Sequence, residues 1–188
     1  MRRIDVITSN AGKMREFRGA LEPLGFEPRQ RSEDIDEMQA DTLEEVVGDC
    51  MAQLQARGLQ DYIIDDSGLF VDALGGFPGV YSAYVLKTLG CQGIIKLLSG
   101  RSDRTARFRC CIGCNVEGVG EIVVSAEAVG SIIEEERGGG GFGFDPIFVP
   151  LGYERTFSEL PLEEKNRISH RGKAINSLSD RLSRGMEK

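Results

Sequence analysis

Two adjacent carboxylates, Asp65 and Asp66, follow the apolar run Tyr62-Ile63-Ile64 and precede Ser67-Gly68. Such a pair at a strand end, before a glycine turn, is costly unless something cationic sits among the charges. Mg²⁺ favours a few carboxylates combined with water and phosphate oxygens. One carboxylate would then hold the metal while the other activates water. A solvated acidic turn has the same composition, so the pair by itself leaves both readings open.

Three further segments carry possible chemistry. In Thr8-Ser9-Asn10-Ala11-Gly12-Lys13 a strand enters a turn of small residues and a helix opens just beyond. Backbone N–H groups, the helix dipole and the Lys13 charge would attract phosphate there. The segment lacks the first glycine and the closing Ser or Thr of GxxxxGK[ST], which excludes a Walker NTPase. An ordinary strand–turn–helix connection would look alike. In the glycine-rich run from Gly138, Gly138, Gly140 and Gly143 formally satisfy GxGxxG. Pro146 and an extended segment follow where a dinucleotide fold needs a helix, so that reading is rejected. The glycines would allow close backbone approach. Phe142 or Phe144 could stack on a base whose edge Asp145 bonds, although for the segment alone a flexible hairpin is the favoured reading. In Glu163 to Gly172 the sole histidine, His170, stands beside Arg171 at the start of the last helix. With Lys165 they could surround an anionic or keto-bearing ligand, or simply form a solvated helix start.

The elements that must position these residues follow from periodicity. Arg3 to Thr8 reads as a buried strand. Lys13 to Leu24 reads as a helix with Phe17, Ala20, Leu21 and Leu24 on one face, ended by Gly25. Phe26 to Gln30 is a short strand. Thr42 and Glu45 form a capping box for a second helix, whose apolar face is Leu43, Val46, Val47, Cys50, Met51 and Leu54. Strand character resumes at Tyr62 to Ile64 and Leu69 to Leu74, before the turn Gly75-Gly76-Phe77-Pro78-Gly79. Two short helices are expected near Tyr81 to Leu86 and Ile94 to Leu98. Thr105 to Val116 alternates as a strand, and Glu121 to Glu135 as another. Asp145 to Val149 is expected to be extended, and a last helix runs from Ser169. Mixed strands and helices indicate an α/β or α+β sheet protein.

The 188 residues suffice for one domain with a substantial core, and 40% hydrophobic with 28% charged residues is globular composition. A net charge of −7 argues against nucleic acid or an anionic membrane as partner. No apolar run reaches the ~20 residues of a membrane span. The segment Arg3 to Ile7 is too short and charged for a signal peptide, and five cysteines suit a reducing cytoplasm. Cys111 and Cys114 have CxxC spacing, but an offset of three on a strand sends them to opposite faces. With one histidine, a zinc site is improbable.

In order and spacing these pieces resemble the inosine/xanthosine triphosphate pyrophosphatases, the Ham1-like family. The matching stretches are TSNAGK with Glu16, DDSGL at 65–69, ALGGFPGVYSA at 73–83, GFGFDPIFVP at 141–150 and EEKNRISHRGKA at 163–174. The resemblance implies a mixed α/β fold in a single domain, residues 1–188: a long twisted mixed sheet with flanking helices, two lobes and a central cleft. It implies a homodimer. It also implies Mg²⁺-dependent hydrolysis, with Mn²⁺ as an alternative, of ITP, dITP or XTP to the monophosphate and pyrophosphate. On the matching positions, Thr8, Ser9, Asn10, Ala11, Gly12 and Lys13 would hold the triphosphate, with Lys13 also counted as catalytic. Asp66 would be metal-linked and the general base. Asp65 and Glu37 would be metal ligands or lie just behind one. Ser67 would touch the nucleotide. Phe142, Gly143, Phe144 and Asp145 would hold the base, and Lys165, His170 and Arg171 would recognise purine carbonyls or phosphates. A triphosphate carries about four negative charges, so cations must neutralise it before water attacks. Donors such as His170 or Arg171 would favour a 6-keto purine over adenine. Guanine shares that keto group, so its exclusion needs a contact at position 2 that no pattern specifies.

One position departs from the family pattern. Many members carry a phosphate-reaching lysine five residues after the position of Glu45, where this chain has Cys50. Lys87 and Arg109 are candidate replacements. Two other readings stay open: a Maf-like pyrophosphatase, whose motifs differ from SHR and FGFDP, and a catalytically dead nucleotide-binding protein. The intact Asp65-Asp66 pair argues against the second.

Overall fold

The computed structural model describes residues 1–36, 38–139 and 142–186. Its first half is a double-wound βαβαβ unit. Strand β1 (Arg2–Ile7) leads through α1 (Ala11–Leu21) to β2 (Phe26–Arg31), then through α2 (Leu43–Ala56) to β3 (Tyr62–Val71). β1 pairs in parallel with both β2 and β3. The chain therefore moves to opposite sides of β1, and the two helices cover opposite faces of the sheet. Met14, Phe17 and Leu21 of α1 pack with Ile4, Val6 and Ile63, whereas the α2 face packs with Ile7, Tyr62 and Ile64. In such sheets the strand ends at the point of divergence open a crevice.

The second half extends the sheet. After β4 (Pro78–Gly79) and helices α3 (Ser82–Thr88) and α4 (Gly90–Leu97) come β5 (Thr105–Val116), β6 (Gly120–Ile132), β7 (Phe148–Pro150), α5 (Leu162–Ile168) and α6 (His170–Met186). Among the described residues the order is β2-β1-β3-β5-β6-β7, with β4 also on β3. The far ends of β3, β5 and β6 share a separate apolar cluster with α3 and α4, including Leu69, Val85, Ile94, Phe108 and Phe148. This forms a second lobe, while β3, β5 and β6 run through both.

The pairing of β3 explains where the lobes part. β5 borders β3 along its whole length, from Tyr62 opposite Asn115 to Val71 opposite Ala106. On the other edge, β1 stops at Ile64 and β4 starts at Leu69. Asp65 to Gly68 lie in that gap.

Several expectations are revised. Asp65-Asp66-Ser67-Gly68 is not a turn at a strand end but the middle of β3, because β5 holds it in register. Helix α1 starts two residues earlier than expected, and Glu22–Leu24 is a single 3₁₀ turn with Pro23 inside it. Asp145–Ile147 is another 3₁₀ turn, and only Phe148–Pro150 is extended. Helix α5 carries mostly charged residues and little apolar periodicity, so its pattern gave no signal. The Thr42–Glu45 capping box is present, and all six residues of the α2 apolar face are buried.

Gly113 shows how closely α2 seats on β5. A Cβ there would lie 2.3 Å from Met51 Sδ and 2.7 Å from Val47 Cγ1. Gly113→Ala should lower stability by ~1–3 kcal/mol through overpacking, read as a lower urea midpoint at unchanged m-value. A midpoint equal to wild type would show that α2 yields freely.

Candidate active site

The gap opens into a cleft of about 570 Å³. Two helix N-termini point into it. Asn10 caps α1, its side chain accepting from the backbone N–H of Gly12 (2.8 Å) and Lys13 (3.2 Å). Ser169 precedes α6, and its Oγ accepts from Gly172 N (3.1 Å). The positive dipole ends favour an anion between them. The N–H groups of Gly12 and Lys13, expected to face phosphate, are instead satisfied by Asn10. Thr8, Ser9, Asn10 and Lys13 line the cleft; Gly12 lines only an adjoining cavity, and Ala11 lines neither.

The two adjacent carboxylates part company because successive strand residues point to opposite faces. Asp65 faces α1 and α6: its Oδ2 lies 3.0 Å from Lys13 Nζ and 3.3 Å from Arg171 Nε. Asp66 stands on the face of Cys111, its register partner within the α2 cluster, and its Oδ1 accepts from Ser67 N (2.8 Å). The pair therefore does not close around one cation from one side. Burial pushes the Asp65 carboxyl up, but Lys13 and Arg171 outweigh it and hold it below the ordinary value. Arg171 is gripped at three nitrogens, by Asp65, by Glu16 (Nη1–Oε2 3.2 Å) and by Ser67 Oγ (Nη2, 3.4 Å). Burial opposes the charge on Arg171, yet Asp65 and Glu16 raise its affinity for the proton.

The base-binding expectations divide by burial. Phe142 is 47% exposed, with Lys165 Nζ 5.3 Å and Arg171 Cζ 5.6 Å from its ring centre. Phe144 is packed into the second-lobe core, which leaves Phe142 as the accessible ring. Asp145 is buried, and its Oδ2 accepts from Lys165 Nζ (2.6 Å) and Phe142 N (2.8 Å). It anchors the loop and the lysine. The segment from Lys165 to Arg171 is not a solvated helix start, since all three cationic or imidazole side chains are buried in the cleft wall. Gly172 allows this, because a Cβ there would lie 1.6 Å from Asn166 O.

Some lining residues had no expected role. Glu16 was only part of a motif, and its i, i+3 spacing from Lys13 on α1 was the available signal. Ser82 likewise was only part of the 73–83 stretch, Phe108 read as one more core position of β5, and Glu33 and Leu86 gave no site signal. Cys50 does line the cleft, but Lys87 and Arg109 do not. Arg109 instead lies over Phe70 (5.3 Å) and near Glu44 (3.7 Å). Glu37 lies outside the described residues.

Among the described lining residues, five carboxylates face three cations, Lys13, Lys165 and Arg171. Each of these cations already has a carboxylate partner. Glu33 is paired in turn with Arg31 and Arg57, which do not line the cleft. Among the described residues no cluster of three or more His, Cys, Asp or Glu could cage a metal. Mg²⁺ needs no cage, since one or two carboxylates with water and substrate phosphates suffice. Asp66, bordering the open cleft, fits that role, and the buried Oδ1 of Asp65 lacks a hydrogen-bond partner.

The model of the Ham1 family matches residues 4–181. The chain belongs to the Ham1 family. This Ham1 chain is 50% identical over 186 residues to the dITP/XTP pyrophosphatase of Thermococcus kodakarensis, covering 98% of this chain and all of that one. It is 45% identical to the dITP/XTP pyrophosphatase of Pyrococcus horikoshii, with 96% of each covered. Among solved structures it resembles a HAM1 protein from Coxiella burnetii (TM-score 0.85, 32% identity, 98% of this chain and 100% of that one). The Staphylococcus aureus Ham1 protein is as similar (TM-score 0.85, 31% identity, all of both chains). The expected fold class, a mixed α/β sheet with flanking helices, matches these Ham1 structures.

Asp65→Asn leaves half-buried Lys13 and buried Arg171 without their shared counter-charge, with Glu16 alone still facing Arg171. It should cost about 3 kcal/mol at pH 7, measured by chemical denaturation. The folded carboxyl is depressed, so its contribution is complete above the ordinary carboxylate pKa of ~3.9 and fades as pH falls through the folded value. The variant should therefore lose stability less steeply than wild type at acid pH. Parallel acid limbs would refute the ion-pair assignment.

Proposed function

We propose that this Ham1 protein hydrolyses non-canonical purine nucleoside triphosphates, ITP, dITP and XTP, to the monophosphate and pyrophosphate. The observation that carries this reading is the cleft itself. It pairs converging helix N-termini and three cations with an exposed aromatic ring, in a chain half identical to a dITP/XTP pyrophosphatase. The phosphates lie against Thr8, Ser9, Asn10 and the Lys13 ammonium, and the base lies against Phe142.

In the reaction, water oxygen bonds to the α-phosphorus. The bond from that phosphorus to the bridging oxygen of the β-phosphate breaks, and pyrophosphate leaves with the bonding electrons. Asp66 takes the proton from the attacking water. Lys13 and Arg171, pre-set by Asp65, meet the charge developing on the phosphates. Asp66, with Glu37 as a candidate partner, would hold Mg²⁺, or Mn²⁺ in its place, which would supply charge neutralisation to the polyphosphate. The carboxylate of Asp66 on the cleft wall supports that requirement. Asp65 serves as counter-ion to Lys13 and Arg171. His170 and Arg171 select the keto purine. The homodimer and the cytoplasmic setting belong to the same proposal. Five free thiols suit a reducing compartment, and light scattering on the purified chain tests the dimer.

Pyrophosphate release from ITP, dITP, XTP, GTP and ATP, with and without Mg²⁺, tests the whole reading. Turnover should need the metal and favour the first three; equal rates on ATP and ITP would sink it. Asp66→Asn should lower kcat by about 10²–10⁴-fold with an unchanged melting curve, and an active variant would move the base elsewhere. Cys50→Lys should lower KM if position 50 meets phosphate, whereas an unchanged KM would remove it from the phosphate path.

A further inference from the structure

His170 is the only histidine in the chain and its ring lies in the cleft wall. A functional imidazole is normally aimed by a hydrogen bond at its second nitrogen. Here Nδ1 is buried and has no hydrogen-bond partner among the described residues. Such an unmet group weakens the fold, so another contact must hold the ring.

That contact is aromatic. The ring of Phe108 on β5 stacks on the imidazole with centroids 4.8 Å apart and planes 10° from parallel. Phe108 is fixed in turn by Phe148, edge-on at 4.8 Å, and by Phe157 at 5.9 Å. The register of β5 against β3 places Phe108 opposite Leu69, two residues beyond Ser67.

We propose that Phe108 is a positioning residue for purine recognition, holding the plane of the His170 imidazole by stacking where other proteins use a hydrogen bond. The proposal rests on the reading of the cleft as a purine nucleotide site. A stack fixes the plane and leaves Nε2, the nitrogen other than the buried Nδ1, for other use. The surroundings keep the ring uncharged. Burial first, then Arg171, Lys165, Lys13 and Lys173, lower its proton affinity well below the ordinary value. The carboxylates near these cations, Asp65, Glu16 and Asp145, are spent on them. A neutral imidazole offers one donor and one acceptor. With its plane fixed, that polarity faces the ligand in one sense, and a 6-keto edge is told from a 6-amino edge.

The single histidine makes the test direct. Nitrogen-15 and carbon-bound proton signals of His170 in the intact protein should report one tautomer, with no titration between about pH 6 and 8. Phe108→Leu should mix the tautomers, with the ring still uncharged because burial and the neighbouring cations remain. In the same variant KM for ITP should rise by about tenfold, the scale of one aromatic pair, with kcat within twofold and ITP-over-ATP discrimination reduced. Phe108→Tyr, which keeps the ring, should restore all three. If Phe108→Leu fails to fold, Phe108→Met takes its place, since methionine fills the volume without a ring plane. Wild-type histidine signals and wild-type discrimination in a folded ring-less variant would overturn the proposal. So would a loss of kcat alone with those signals unmoved. If the wild-type chain released no pyrophosphate from any purine triphosphate, the functional reading would fall, and the histidine spectra would still decide the role of Phe108.

Discussion

One buried carboxylate ties the site together. Asp65 belongs to β3, Lys13 to α1 and Arg171 to α6, and a single oxygen of Asp65 lies within 3.3 Å of both cations. Removing Asp65 would leave Lys13 with no carboxylate partner among the described residues and Arg171 with Glu16 alone, in a wall where unpaired ions are costly. The network therefore fixes the two helix N-termini relative to the strand. Glu16, Ser67 and Phe142 then find their places around Arg171. Cations held this way are ready before a polyanion arrives and need not reorganise to meet it.

The cleft exists because β3 changes partners. β1 leaves it at Ile64 and β4 joins at Leu69, while β5 keeps the strand straight between them. A strand paired on one edge only can carry polar side chains into solvent without losing its register. The same alternation that buries Asp65 on the face of α1 and α6 delivers Asp66 to the opposite face. Two neighbouring acids thus take different tasks, one structural and electrostatic, the other open to the cleft.

Hydrophobic packing sets the tolerances. Gly113 lets α2 approach β5, and Gly172 lets α6 start against the end of α5. Cys50, on the same buried α2 face, is a small apolar neighbour where a longer cationic side chain would reach into the cleft. The other four thiols are inert for the same reason of burial. Cys110 and Cys114 are pushed to about 12, and Cys91 and Cys111 to about 11.

The sequence by itself determined the local elements and the family. The α2 capping box, the alternation of Thr105 to Val116 and the ordered motifs from Thr8 to Arg171 are short-range signals, written in spacing and residue type. They placed most cleft residues, including Phe142, Lys165 and His170, without any knowledge of contacts. The tertiary structure alone decided how those residues divide their work. That Asp65 meets two cations depends on Arg171, 106 positions away. Whether Phe142 or Phe144 is free depends on the second-lobe core, and whether His170 is solvated or stacked depends on Phe108. These outcomes are set by burial and by partners distant in the chain, and neither quantity is encoded in a local pattern.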